Sequence, residues 1–301
     1  MKKVIFIFLD GVGIGKEDKE TNPFFKHGFN TFSKIFENIP SIKNISFSKQ
    51  DKYVFPIDTI MGVDELPQSG TGQTSIFCGF NAQKFLGKHF GPYPHSSLHP
   101  LIKKENIFSE LKKIGKKPFF ANAYPQIYFE HLKKSNARVS VPTLCSLYSD
   151  TNLNKFENLK VGKALSPEID NHRWVEKLKY DLPIITPEKA TINLLNMIRE
   201  FDFVLYEYFF TDHLGHGRLS EDFTKLYETL DRFLFTVLSN HEKDCTVLIT
   251  TDHGNFEDLS VKSHTLNPGL AIMSGYKADS AFKYLKDISQ IKRFILDEIF
   301  I

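Results

Sequence analysis

Three short stretches carry residues able to grip divalent cations. "TDHLGHG" (211–217) sets Asp212 and His216 four positions apart, where one helical turn or a tight loop brings both to the same side. "TDHGN" (251–255) joins Asp252 to His253, and "SHTLNPG" (263–269) adds His264. Asp10, in "FLDGVGIG", ends the first apolar run of the chain. Adjacent side chains on an extended strand point opposite ways, but at a strand end the backbone turns and both can reach one centre. A lone Asp-x-x-x-His arises often by chance. Three carboxylates and three imidazoles together suit two divalent ions of mixed oxygen and nitrogen ligation, Mn²⁺ or Zn²⁺.

A second stretch, "QSGTGQTSIFCG" (68–79), supplies something for such a centre to act with. Glycines flank hydroxyl residues just before an apolar helical stretch, which exposes Ser or Thr at a helix amino terminus where backbone N–H groups favour an anion. A helix cap with purely structural work is the competing reading.

These residues need elements to hold them. Apolar runs at 3–9, 117–123, 201–209, 245–251 and 269–275 read as buried strands. Between them, 106–115 ends on a glycine, 186–201 opens on a Thr-Pro cap, 219–241 is long and amphipathic, and 287–300 is a last helix. Strands alternating with helices predict an α/β fold, a three-layer α/β/α sandwich around a mostly parallel sheet. Ligands of such sheets gather at the carboxyl ends of the strands, where Asp10, Asp212 and the Asp252-His253 pair all fall. Residues 40–60 and 136–186 yield no element. A single domain over 1–301 is the simplest organisation.

Composition narrows the partners. The 38 basic and 36 acidic side chains nearly cancel, and no basic stripe interleaved with aromatics marks a nucleic-acid surface. The opening "MKKVIFIFLDG" is too short and too soon interrupted by Asp10 for a signal peptide, and reads as a strand. Cys78, Cys145 and Cys245, odd in number and widely spaced, make neither a disulfide framework nor a zinc ribbon. The expected setting is cytoplasmic, without membrane or nucleic acid, and with a small-molecule partner.

In order, "FLDGVGIG", "SGTGQTS", "TDHLGHG", "TDHGN" and "HTLNPG" resemble the alkaline phosphatase superfamily, most of all its cofactor-independent phosphoglycerate mutase and phosphopentomutase branch. The resemblance implies a small phosphorylated substrate and two metals. It gives Asp10, Ser69, Asp252 and His253 to one metal and Asp212, His216 and His264 to the other. It makes Ser69 the nucleophile, with Thr71 a rival, and departs from the mutases at Gln73, where they have histidine. His213 is then a neighbour of the ligands, and Asn255 and Glu257 are expected to orient them. The sulfatase relatives need a Cys/Ser-x-Pro-x-Arg setting, absent here.

Mutases of this branch insert a cap of roughly a hundred residues or more after the nucleophile helix, a domain's worth of chain. Here about residues 83–105 separate that helix from the next core helix, room for a loop or small lid; 136–186 is the other candidate insertion. Without a closing cap water competes for the phosphoenzyme, so the expectation is a phosphohydrolase, monoesterase or diesterase, working through phosphoserine. A phosphomutase is the alternative, and a metal-binding protein without turnover is the reading from another class. In the lid, Lys88, His89, His95 and His99 are candidates for binding substrate phosphate or a second anionic group.

Overall fold

Residues 3–9, "KVIFIFL", are apolar on both faces of a strand, so both faces must be covered. In the computed structural model, which describes residues 2–219 and 223–301, they form β1 (Lys3–Leu9) near the middle of a seven-stranded sheet. The others are β2 (Phe47–Lys49), β3 (Lys52–Ile57), β4 (Pro118–Phe120), β5 (Phe203–Tyr208), β6 (Cys245–Thr250) and β7 (Gly269–Gly275), in the order β2-β3-β7-β6-β1-β5-β4. Val4, Phe6 and Phe8 join a core with Ile76, Phe77, Phe108 and Leu144; Ile5, Ile7 and Leu9 join another with Leu194, Leu230 and Phe233. The helices Ser69–Cys78, Ile107–Lys113 and Val141–Tyr148 therefore cover one face, and Pro187–Glu200 and Phe223–Asn240 the other. This is the three-layer α/β/α sandwich.

The four strands β6, β1, β5 and β4 run parallel, while β7, β3 and β2 add on antiparallel. The change at β7 has a physical reason. Residues 251–268 stay at the carboxyl edge of β6, carrying candidate ligands, and the chain re-enters the sheet from that same edge. Within 40–60 the structure adds the β2–β3 hairpin, whose turn holds Gln50 at φ +57°.

Local signals place the helices. Asn106 accepts from the Ser109 amide at 2.9 Å to start Ile107–Lys113, and Thr186 accepts from the Lys189 amide at 3.2 Å to start Pro187–Glu200. The amphipathic helix expected from 219 is seen as Phe223–Asn240, and residues 220–222 lie outside the described residues. The last helix, Gln290–Arg293, continues into wider π-type turns over Phe294–Phe300. Among the described residues no helix is long and apolar enough to cross a membrane.

Residues 83–105 hold most of a short helix, Ala82–Leu86, a turn at Ser96–Leu98 and the helix His99–Glu105. Residues 136–186 contain Val141–Tyr148, Phe156–Lys160 and His172–Glu176, and gather Leu159, Ala164, Trp174 and Leu182 with Ala123 into a small core beside β4. In this segment Glu168 is buried, its Oε1 accepting from the Arg173 and Trp174 amides at 3.1 and 3.4 Å. Burial pushes its carboxyl up to about 7 from 4.5. Between those values the folded state holds a proton that the unfolded state has lost, so stability falls as pH rises across this window, by roughly 3 kcal/mol in all. Glu168→Gln keeps an acceptor oxygen and is expected to flatten that slope; urea melts showing an unchanged slope would contradict the account.

Candidate metal centre and the hydroxyl beside it

The carboxyl ends of β6, β1 and β5 lie side by side, with Phe8 opposite Thr250 and Leu9 opposite Tyr208. Whatever follows these strands shares one edge. Asp10 follows β1, and Asp252 and His253 turn after β6. Asp212 and His216 lie on and just beyond the short helix Phe210–Gly215, whose pitch sets His216 Nε2 3.2 Å from Asp212 Oδ1. Ser69 opens its helix with Oγ 3.1 Å from His253 Nε2. The His264 ring stacks on His253 at 3.7 Å, and its Nε2 is 3.4 Å from Asp212 Oδ1 and 3.1 Å from His216 Nε2. All seven expected ligands thus meet in one cluster, buried except for half-buried His216. Two donor groups stand out within it: Asp10, Asp252 and His253, and Asp212, His253 and His264.

The donor set fits divalent cations. His216 Nδ1 lies 2.6 Å from the Lys262 carbonyl and His264 Nδ1 2.5 Å from that of Pro67. A carbonyl only accepts, so each Nδ1 donates there, and the two Nε2 atoms are turned toward each other and toward Asp212 Oδ1, where a shared cation would be held. Asp10 Oδ1 is 3.2 Å from His253 Nε2 yet has no hydrogen-bond partner among the described residues. Burial, then the charges of Asp252, Asp212 and Glu207, drive the Asp10 carboxyl well above the usual range. Burial also works to raise Asp212, but its hydrogen bond with His264 and the nearby His253, Asn255 and His216 outweigh it and hold it well below. A buried excess of negative charge and an orphaned carboxylate oxygen are what a bound cation would satisfy.

Supporting residues hold the donors in place. Asn255 Nδ2 donates to Asp212 Oδ1 at 2.9 Å. Glu257 accepts from the Gly13 and Asn255 amides at 2.7 and 2.8 Å, from Asn267 Nδ2 at 3.0 Å and from the Thr265 hydroxyl, tying three ligand-bearing loops together. Gln73 Nε2 spans Asp10 Oδ2 and Asp252 Oδ2 at 3.4 and 3.3 Å. Glu207, on the β5 face shared with Phe203 and Leu205, is a further buried carboxylate, pushed up to about 8 by burial and Asp252. Sequence reasoning passed over Glu207, although a charge inside an apolar strand was a visible signal.

Thr71 spends its hydroxyl elsewhere, donating to the Gln68 carbonyl at 3.1 Å and accepting from the Phe90 amide at 3.2 Å. The same loop presses on the helix start: a Cβ at Gly70 would lie 2.3 Å from the Tyr93 carbonyl oxygen. Gly70→Ala must displace backbone, and is expected to destabilise by about 1–3 kcal/mol and to misplace Ser69. A variant with wild-type melting temperature and turnover would contradict this packing.

The lid candidates separate. His95 and His99 line one cavity, and Lys88 lies outside it over the Phe90 ring at 5.7 Å. His89 turns inward, Nε2 3.1 Å from the Ile60 carbonyl, and burial lowers its pKa; it stands apart from that cavity. His213 packs against the Phe209 and Phe210 rings at 5.4 and 6.1 Å, outside both donor groups.

Residues 175–299 match the family model described as Metalloenzyme superfamily. Over 101 residues, 31% of this chain, the sequence is 31% identical to a 2,3-bisphosphoglycerate-independent phosphoglycerate mutase of Mycoplasmopsis synoviae, and the match spans 20% of that relative. Among solved structures, a mutant alkaline phosphatase of the Antarctic bacterium TAB5 superposes with TM-score 0.54 at 11% identity, covering 98% of this chain and 96% of that one. The PH0037 protein of Pyrococcus horikoshii gives TM-score 0.52 at 14% identity, covering 91% and 85%. Such low identities speak for the fold. These likenesses show an alkaline phosphatase-like fold, the family model matches less than half of the chain, and the donor cluster at the strand ends is suited to divalent metal.

Proposed function

We propose that this chain is a phosphohydrolase with two divalent metals, Mn²⁺ or Zn²⁺, which transfers the phosphoryl group of a small phosphorylated metabolite to Ser69 and then to water. The observation that carries it is the meeting of Ser69 Oγ with His253 Nε2, at 3.1 Å, inside a cluster where His216 Nε2 and His264 Nε2 converge on Asp212 Oδ1. Asp10, Ser69, Asp252 and His253 would hold one ion and Asp212, His216 and His264 the other. The ions, when bound, would lower the pKa of the Ser69 hydroxyl and balance charge on the transferred group. In the first step the Ser69 Oγ–phosphorus bond forms as the ester oxygen–phosphorus bond breaks; in the second a water oxygen displaces Ser69 Oγ. Thr71 and Gly72 give their amides to the Phe90 and Gln68 carbonyls, whereas the Ser69 and Gly70 amides have no protein acceptor among the described residues. These two amides are suited to receive phosphoryl oxygens.

The short connection after the Ser69 helix supports water as the acceptor, with residues 83–105 as a small lid. The likeness to a phosphoglycerate mutase supports the second reading, an intramolecular phosphomutase with 136–186 as an insertion over the site. Metal-loaded protein is expected to release inorganic phosphate from chromogenic monoesters or diesters and from sugar phosphates. An isomerised sugar phosphate without phosphate release would instead establish the mutase, and no turnover of any ester despite bound metal would leave a metal-binding protein.

A further inference from the structure

Gln73 stands one turn after Ser69 on the same helix, so both side chains leave it on one face. It is buried, and its two amide atoms fare differently. Nε2 reaches Asp10 Oδ2 at 3.4 Å and Asp252 Oδ2 at 3.3 Å, whereas Oε1 has no hydrogen-bond partner among the described residues. A buried acceptor left alone works against folding. Methionine has a similar shape and would pack there without that penalty, so what explains the amide is what its Nε2 holds.

The two carboxylates divide their oxygens between Gln73 and the interior of the cluster. Their Oδ2 atoms face Gln73, while Asp10 Oδ1 and Asp252 Oδ1 lie 3.2 and 3.7 Å from His253 Nε2, which is also 3.1 Å from Ser69 Oγ. Gln73 thus holds the outer oxygens and leaves the inner ones to converge beside Ser69. The helix that carries both residues rests directly on Asp252: a Cβ at Gly72 would lie 2.8 Å from Asp252 Cβ. No hydrogen bond joins Gln73 to Asp212, His216 or His264 among the described residues; there Asn255 Nδ2 donates to Asp212 Oδ1 instead. Charge matters as much as position. A lysine placed on the same oxygens would cancel the negative charge that draws a cation, whereas an amide donates and stays neutral.

We infer that Gln73 is a positioning residue for one ion alone: it fixes the two aspartates that grip the ion shared with Ser69 and so keys the Ser69 helix to that ion, while the ion of Asp212, His216 and His264 is held independently of it. The inference rests on the two-metal reading of this cluster.

Metal binding tests it without turnover. Mn²⁺ affinity would be measured by calorimetry on two backgrounds, Asp212→Asn with His264→Ala, which keeps the donors around Asp10, and Asp10→Asn with Asp252→Asn, which keeps those around Asp212. Gln73→Met is expected to weaken Mn²⁺ binding by roughly 10- to 100-fold on the first background and to leave it within about threefold on the second. Should a background fail to fold, the two-step Mn²⁺ isotherm of Gln73→Met in the otherwise wild-type chain gives the same reading, with one step weakened and the other kept. A glutamine that only packs would move both ions or neither, and either result would overturn the inference. A wild-type protein that takes up fewer than two Mn²⁺ ions would overturn the two-metal reading instead, so the two failures are distinguishable.

Discussion

His253→Ala is expected to leave the protein with at most one bound divalent ion, while His213→Ala keeps two. The two histidines share the tripeptide Thr-Asp-His but not its surroundings. His253 belongs to both donor groups, its Nε2 being 3.2 Å from Asp10 Oδ1 and 3.1 Å from Ser69 Oγ, and its ring supports that of His264. Losing it removes a ligand and unpacks the neighbour that would hold the second ion. His213 points between two phenylalanines. Replacing it costs packing, on the order of 1 kcal/mol, without touching a donor. Metal content after exhaustive buffer exchange checks both variants, and equal occupancy would break the assignment.

Ser69→Ala is expected to lower kcat by roughly 10⁴-fold or more, the scale on which removing a nucleophile acts. Thr71→Val serves as its control. Thr71 lies two residues on along the same helix, fully buried, with its hydroxyl tied to Gln68 and Phe90. Its loss should lower the melting temperature by loosening the Phe90 loop and leave kcat within about tenfold, since a lost buried hydrogen bond costs about 1–3 kcal/mol of stability. The reverse pattern, with Thr71→Val dead and Ser69→Ala active, would move the nucleophile to Thr71.

Much of this arrangement was legible because burial on both faces leaves an unambiguous mark. β1, β5, β6 and β7 are continuous apolar runs, and the polar residues at the ends of three of them fall on the site. β2 and β3 escaped for the converse reason: an edge hairpin such as "FSKQDKYVFPI" tolerates polar residues and a proline, so no clean alternation survives. The direction of β7 was not legible either, because an apolar run looks the same read parallel or antiparallel. Within the site, side chains of distinctive chemistry could be named from the sequence. The carbonyls of Lys262 and Pro67, which fix the His216 and His264 rings, could not, since every residue carries one.

The central claim is a covalent phosphoryl group on Ser69 in a metal-loaded protein. Its most direct test is to quench turnover of an activated phosphate ester in acid and map the phosphorylated residue by peptide mass spectrometry. The account predicts one phosphoryl group on the peptide holding residues 68–79, located at Ser69, and none when the metals are removed beforehand. Phosphate on Thr71, or steady turnover with no phosphorylated residue trapped under conditions that preserve phosphoserine, would contradict it.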